Sequence, residues 1–318
     1  MIGRATLAGL VVLGALSLAG GWYVSRPAEP GVPEPRPALP ALARLLPFAD
    51  RVQIAQGGRS LTLERRGQSW GLASQGGYPV RPEMLRKLLN ALMELRLLEP
   101  RTADPALLGR LGLDAASGTA VSVVETDGAV IGAIIAGHAR VRAAGPAELY
   151  VRSAGQAQSW LAQGAIQASA DPADWIDHDI LSIDPEQVVA ARFTRGDDVL
   201  ALRRDGERVV VETPADHPPV DDSRAAETFD ALSNVSFTDV RPAPQAHATP
   251  IGNAHLTLRD GTAIDAAVGS AGGAVWAQFS ATGPQSAAIQ ARVAGWAFQF
   301  PEWKEATFLP LLETLEVK

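Results

Sequence analysis

The chain has 318 residues and not one of them is cysteine. That excludes disulfide frameworks, thiolate zinc sites, iron–sulfur clusters, cysteine nucleophiles and lipid anchoring through an N-terminal cysteine. Lysine is nearly missing too, with three against 25 arginines, a bias read here as genome base composition rather than chemistry. Basic residues are in the minority, 28 against 35 acidic ones, for a formal net charge of −7. The basic footprint of a nucleic-acid-binding protein is therefore absent, and no nucleic-acid partner is expected. Charged residues make up only 20% of the chain and apolar ones 47%. That is too apolar for a disordered polypeptide and enough for one large domain or two ordinary ones.

One long apolar run is present. Residues 5–24, ATLAGLVVLGALSLAGGWYV, carry no charge. As a helix they would span roughly 30 Å, the thickness of a bilayer hydrocarbon core. Trp22 and Tyr23 stand at the end of the run, where amphipathic aromatics favour the headgroup layer, and Arg4 and Arg26 close it. Ser17-Leu18-Ala19 offers a small-x-small cleavage pattern, but the apolar stretch continues past it, beyond the usual signal-peptide core. Residues 5–24 are expected to be an uncleaved transmembrane anchor contacting membrane lipid. The flanking arginines do not fix its orientation. An exported body is the simplest outcome, which places the protein in a bacterial inner membrane as a single-pass, periplasm-facing chain. Residues 25–47 follow as a proline-rich linker, with seven prolines between Pro27 and Pro47. This spacing disfavours regular helix and central strand and suits an extended, stiff spacer.

The body contains an internal repeat. Leu61-Thr62-Leu63-Glu64-Arg65-Arg66-Gly67 aligns with Leu200-Ala201-Leu202-Arg203-Arg204-Asp205-Gly206 at an offset of 139. Both alternate apolar and polar residues, turn at glycine and resume as strand, at Trp70-Gly71-Leu72 and Val209-Val210-Val211. Pro79-Val80 and Pro219-Val220 follow at an offset of 140, each ahead of an expected amphipathic helix. Leu85, Leu88, Leu89, Leu92 and Leu95 mark the first; Phe229, Leu232 and Val235 mark the second, behind Asp221-Asp222-Ser223. Strand pairs over 121–137 and 255–269 come next, with turns at Asp127-Gly128 and Asp260-Gly261, then strands at Tyr150-Val151 and Val275-Trp276. The pattern predicts an α+β fold of two tandem similar units, residues 48–185 and 186–318. Each is expected to be a mainly antiparallel sheet covered by one long helix, behind the transmembrane helix. A connecting region, about 155–188, and the aromatic tail Gly295–Trp303 are read as possible equivalent caps.

No set of residues converges on a known chemistry. The five histidines, at 138, 178, 217, 247 and 255, lack the i, i+4 spacing of a helical zinc site. Asp171, Asp174, Asp177 and Asp179 surround His178 without the calcium-loop pattern, and a run of aspartates at a helix start accounts for them. Asp216-His217 and Asp221-Asp222 read as a loop before a capped helix. Gly269-Ser270-Ala271-Gly272-Gly273 sits between two strands and reads as a hairpin turn rather than a phosphate loop. Trp70 and Trp276 fall on strand faces; Trp296 and Trp303 flank Pro301 and fit either packing or a protein or glycan contact. No catalytic, cofactor-binding or metal-ligating residue is assigned, and no cofactor is expected.

Several segments resemble a family catalogued as domain of unknown function 4340. They are Trp70, Gly77-Tyr78-Pro79-Val80, Leu95-Arg96-Leu97-Leu98-Glu99-Pro100, Thr102-Ala103-Asp104-Pro105, the stretch Leu108–Asp114, Tyr150-Val151-Arg152 and Asp174-Trp175-Ile176-Asp177. The likeness is densest from Trp70 to Leu181 and carries no catalytic motif. It implies an N-terminally anchored envelope protein associated with an ABC-type transport system, by analogy rather than by chemistry. The expected function is therefore a membrane-anchored, non-enzymatic accessory or assembly protein of the cell envelope. Its expected partners are an ABC-type transporter or that transporter's auxiliary subunits. The alternative is an envelope enzyme or ligand-binding module acting on a glycan or lipid-linked substrate at the junction of the two units.

Overall fold

A computed structural model describes residues 34–141 and 145–317. The expected anchor at 5–24 lies outside the described residues, among which no helix is long and apolar enough to cross a membrane. The first sheet is built from β1 (Arg36–Pro37), β2 (Ala49–Gln56), β3 (Arg59–Arg66), β4 (Ser69–Leu72), β5 (Tyr78–Pro79), β6 (Arg96–Pro100), β7 (Thr119–Glu125), β8 (Val130–Arg140), β9 (Glu148–Ser153) and β10 (Ser159–Gln163). The second holds β12 (Val188–Arg195), β13 (Asp198–Asp205), β14 (Arg208–Thr213), β16 (Asp239–Pro242), β17 (Thr249–Leu258), β18 (Ala263–Ala271), β19 (Ala274–Thr282) and β20 (Trp296–Phe300). Between them β11 (Asp179–Leu181) pairs with β15 (Val235–Ser236).

The two sheets are wired alike. The second runs β14-β13-β12-β17-β18-β19-β20-β16, and the first contains β4-β3-β2-β7-β8-β9-β10-β6 in the same order, extended by β5 at one end and β1 at the other. Hairpins connect most neighbours, as alternation and turn glycines dictate; Gly67 and Gly206 turn β3 into β4 and β13 into β14 at φ 64° and 63°. The non-local steps are also shared: β2 pairs with β7 as β12 pairs with β17. β6, which precedes β7 in the chain, pairs with β10 at the far side, and β16 pairs with β20.

The helical cover departs from expectation. The predicted fold of two sheets each under one long helix, behind a transmembrane helix, is corrected to a mostly antiparallel β structure with short helices. The longest among the described residues is α2 (Pro82–Glu94, 13 residues), after a single turn, α1 (Leu42–Leu45). Its leucines at i, i+3 and i+7 bury Leu85, Leu88 and Leu92, and it stops before Leu95, whose backbone is extended. In the second unit α3 (Asp222–Glu227) lasts six residues and tightens into a 3₁₀ turn over Thr228–Leu232. The reason lies in the spacing: Phe229 and Leu232 are three apart with no i+4 partner, which suits three residues per turn. The Thr228 hydroxyl also donates back to the Ala225 carbonyl at 2.7 Å. Val235, expected on this helix, is in β15.

Two further segments differ from the reading of the sequence. Residues 36–48 belong to the first unit: β1 is an edge strand, the one place in a sheet that tolerates Pro37, and Ala38 and Leu42 are buried. The region 155–188 holds β10, then a strap ending in a 3₁₀ turn at Pro172–Asp174. The tail after β20 carries α5 (Lys304–Phe308), behind α4 (Ser286–Val293) on the other side of that strand, and a matching 3₁₀ turn at Leu312–Thr314. Both straps dock on the start of their unit's helix. The Arg81 amide donates to the Trp175 carbonyl at 2.7 Å, and the Asp221 amide donates to the Leu315 carbonyl at 2.8 Å. One continuous buried cluster, from Val52 and Leu63 through Tyr78 to Phe279 and Phe300, serves both sheets.

Candidate functional site

The junction of the units is a closed apolar seam. The Tyr78 ring, carried out of the first unit by β5, meets Phe237, Trp296 and Phe298 edge-on at 5.5, 5.0 and 6.1 Å, the arrangement that aromatic quadrupoles favour. Burial, with Asp177 nearby, pushes the Tyr78 phenol up to about 12, against the opposing pull of Arg292. Beside it, Gln75 donates to Asp239 at 3.2 Å. At the rim lies a notch of about 320 Å³ lined by Tyr78, Arg81, Asp177, Asp179 and Arg292 among others. Its charges are spoken for in part: Arg81 donates to the Asp174 carbonyl at 2.5 Å, Asp179 accepts from Ser236, and Asp177 caps the Asp179 amide at 3.1 Å.

The residues singled out in the sequence resolve into structural roles. Asp171 caps the 3₁₀ turn at 172–174 and accepts from Ala173 at 3.0 Å. Trp175 is buried and donates to the Ser169 carbonyl at 2.9 Å. The His178 ring donates to the Phe237 carbonyl at 2.9 Å. Among the described residues no three His, Asp or Glu side chains gather as a metal set. Asp221 caps α3 through the amides of Ser223 and Arg224, and Asp222 pairs with Arg208, while His217 bonds the adjacent Pro218 carbonyl. Gly272 and Gly273 form the β18–β19 turn at positive φ. His255 pairs with Asp265 across β17 and β18 at 2.7 Å on an exposed face. Trp276 is buried under the Arg241 guanidinium; Trp303 is 64% exposed, with the Lys304 ammonium 5.0 Å from its ring.

A larger concavity lies elsewhere, in the second unit, between the β12–β13 hairpin tip and the tail strap. It measures about 770 Å³. Phe193, Leu200 and Leu309 form its floor, and Asp197, Asp198, Glu313 and Glu316 stand on its two banks. Arg195, at the end of β12, donates to Glu305 of α5 at 2.6 Å. A second trough of about 310 Å³ continues from Arg195, Leu309 and Leu311 to the exposed Trp303. The sequence reading weighed Trp303 but missed the groove. The offset alignment holds the missing signal. Position 59, arginine in the first unit, becomes Asp198, and position 171, aspartate in the first, becomes Leu311. In the first unit Arg59 and Asp171 pair at 3.1 Å across the same gap.

The fold and this groove define an antiparallel β protein of two like-wired sheets, joined by an aromatic seam and open at one hairpin tip. The chain belongs to the family whose model is described as domain of unknown function (DUF4340), which matches residues 70–253, from β4 into β17. No curated protein and no solved structure matches it.

Proposed function

We propose that this protein is a membrane-anchored, non-enzymatic accessory or assembly protein of the cell envelope. Residues 5–24 hold it in the inner membrane and the body faces the periplasm. It acts through a protein contact made by the second unit. The observation that carries this reading is Trp303, a large aromatic left 64% exposed at the end of an apolar groove, where isolated packing gives it no reason to be. The family resemblance supports an ABC-type transport component as the partner. The test is affinity recovery from native membranes in mild detergent. Transport subunits are expected with the wild-type chain and are expected to be depleted with Trp303→Ala. Equal recovery by both, or no transport subunit with either, contradicts the reading. A second reading rests on the junction notch, where the Nε of Arg81 is buried without a partner. A small anionic glycan or lipid-headgroup ligand seated there would raise the melting temperature of the wild type and not of Arg81→Ala.

A further inference from the structure

We infer that the groove of the second unit is a binding site for an extended, basic peptide segment of a partner protein. The inference rests on the reading of the chain as a protein-contact scaffold and adds to it the place and chemistry of the contact.

Three observations converge on that occupant. The first is shape. At about 770 Å³, continued by about 310 Å³ along the strap past Leu309 and Leu311, the concavity is an elongated trough rather than a compact pocket. The second is charge. Asp197 and Asp198 on the hairpin bank and Glu313 and Glu316 on the strap bank have no ion-pair partner among the described residues, while the one cation between the troughs, Arg195, is already held by Glu305. An apolar floor between two acidic banks complements an extended segment that seats apolar side chains on the floor while long, flexible basic side chains between them reach over to the carboxylates on either bank. Such a ligand neutralises both banks at once, which a single small cation does not.

The third observation is the internal control supplied by the first unit. There the equivalent gap is bridged by Arg59 and Asp171 at 3.1 Å, and both elements are otherwise placed as in the second unit: a hairpin tip in which Gln56 faces Arg59 as Arg195 faces Asp198, and a strap turn 140 residues earlier. The replacement of the arginine by Asp198 and of the aspartate by Leu311 removes the bridge and leaves an acidic bank and an apolar wall. The same scaffold is bridged at these two positions in one copy and unbridged at them in the other, where Arg195 and Glu305 tie the tip to the tail beside the groove.

The test uses the full chain in micelles of an uncharged detergent and a short fluorescein-labelled peptide alternating lysine and leucine, with a glutamate–leucine peptide as control. Saturable, salt-sensitive anisotropy change is expected with the basic peptide and not with the acidic one. Asp198→Arg with Leu311→Asp restores the first unit's bridge and is expected to weaken binding by at least about tenfold. Asp197→Asn with Asp198→Asn, two exposed positions that leave the fold intact, is expected to weaken it several-fold. Arg59→Ala, in the other unit, is expected to leave it unchanged. Absence of saturable binding, or equal binding by the neutralised variant, overturns the inference. If the groove-closed variant still recovers transport subunits from membranes, the groove is not the contact and the scaffold reading survives. If the peptide binds but no transport subunit is recovered, the reverse holds.

Discussion

The two sheets share their strand order but differ in how their ends are closed. In the first unit the chain after β4 folds back, and β5 pairs Tyr78 with Leu72 and Pro79 with Gly71. That return requires glycine: a Cβ on Gly71 would run into the Gly77 carbonyl. In the second unit Val210 occupies the matching place, opposite Arg203 as Gly71 is opposite Glu64, and Pro218-Pro219 stand where β5 would be. Val210 carries the Cβ that Gly71 lacks, and among the described residues β14 has no partner on its outer side. The first unit is also latched at its hairpin tip by Arg59 and Asp171, whereas the second has no pair at the matching positions, Asp198 and Leu311, and ties its tip to the tail through Arg195 and Glu305 instead. The difference teaches that wiring and closure are separable: a shared strand order sets the scaffold, and a handful of side chains decide where it is sealed, where it keys into its neighbour through Tyr78, and where it stays open.

The largest expected effects come from the shared core. Leu92 and Leu232, equivalent at an offset of 140 and each 1% exposed, should cost about 2–5 kcal/mol when either is truncated to alanine. Because one buried cluster serves both sheets, urea unfolding of either variant should remain a single transition; two separated transitions would show that the units fold independently. Next is the alkaline response of the seam. The Tyr78 phenol ordinarily titrates at 10.0 and is held at about 12. Between those values the unfolded chain has given up the proton and the folded one has not, so stability is intact below pH 10 and falls as pH climbs toward 12. Relative to Tyr78→Phe, the wild type should lose about 2–3 kcal/mol over that span in denaturant titrations; parallel behaviour would mean the ring is not seated in the second unit.

Smaller effects separate the two ends. Gly71→Val, which gives the first unit the residue of the second, should destabilise by about 1–3 kcal/mol and expose Arg81 to trypsin as β5 lifts. Thermal melts and digestion maps check this; a silent substitution would mean that β5 does not fold back. The smallest is the latch itself. Arg59→Ala removes a pair whose side chains are 64% and 43% exposed and should cost no more than about 1 kcal/mol, while Asp198→Ala should cost nothing. A larger loss at Arg59 would make the latch a fold determinant rather than a gate.

Much of the sheet was legible in the sequence because strand alternation and turn glycines are local signals. Leu61, Leu63, Leu200 and Leu202 are buried on alternating positions, and the turns fall where Gly67 and Gly206 stand. The second helix was misjudged because a spacing of three residues without a fourth fits both helix types, and the competing bond from Thr228 is invisible to periodicity. β10 was hidden in a polar run; its Ser159 is fully buried only because Thr102 accepts its hydroxyl at 2.7 Å, a partner 57 residues away. The groove was unreadable for a related reason. Neither Asp198 nor Leu311 is unusual where it stands, and only the comparison with the residues that pair in the other unit gives them meaning.

The absence of cysteine makes the common wiring directly measurable. Paired cysteines placed at Arg96 and Gln163, which face each other across β6 and β10, and at Asp239 and Gln299, which do so across β16 and β20, would report a matching non-local step of each sheet free of native thiols. Under mild oxidation both variants should form an intramolecular bridge in high yield. A bridge in one unit and not the other would contradict the claim that the two sheets are built to the same plan.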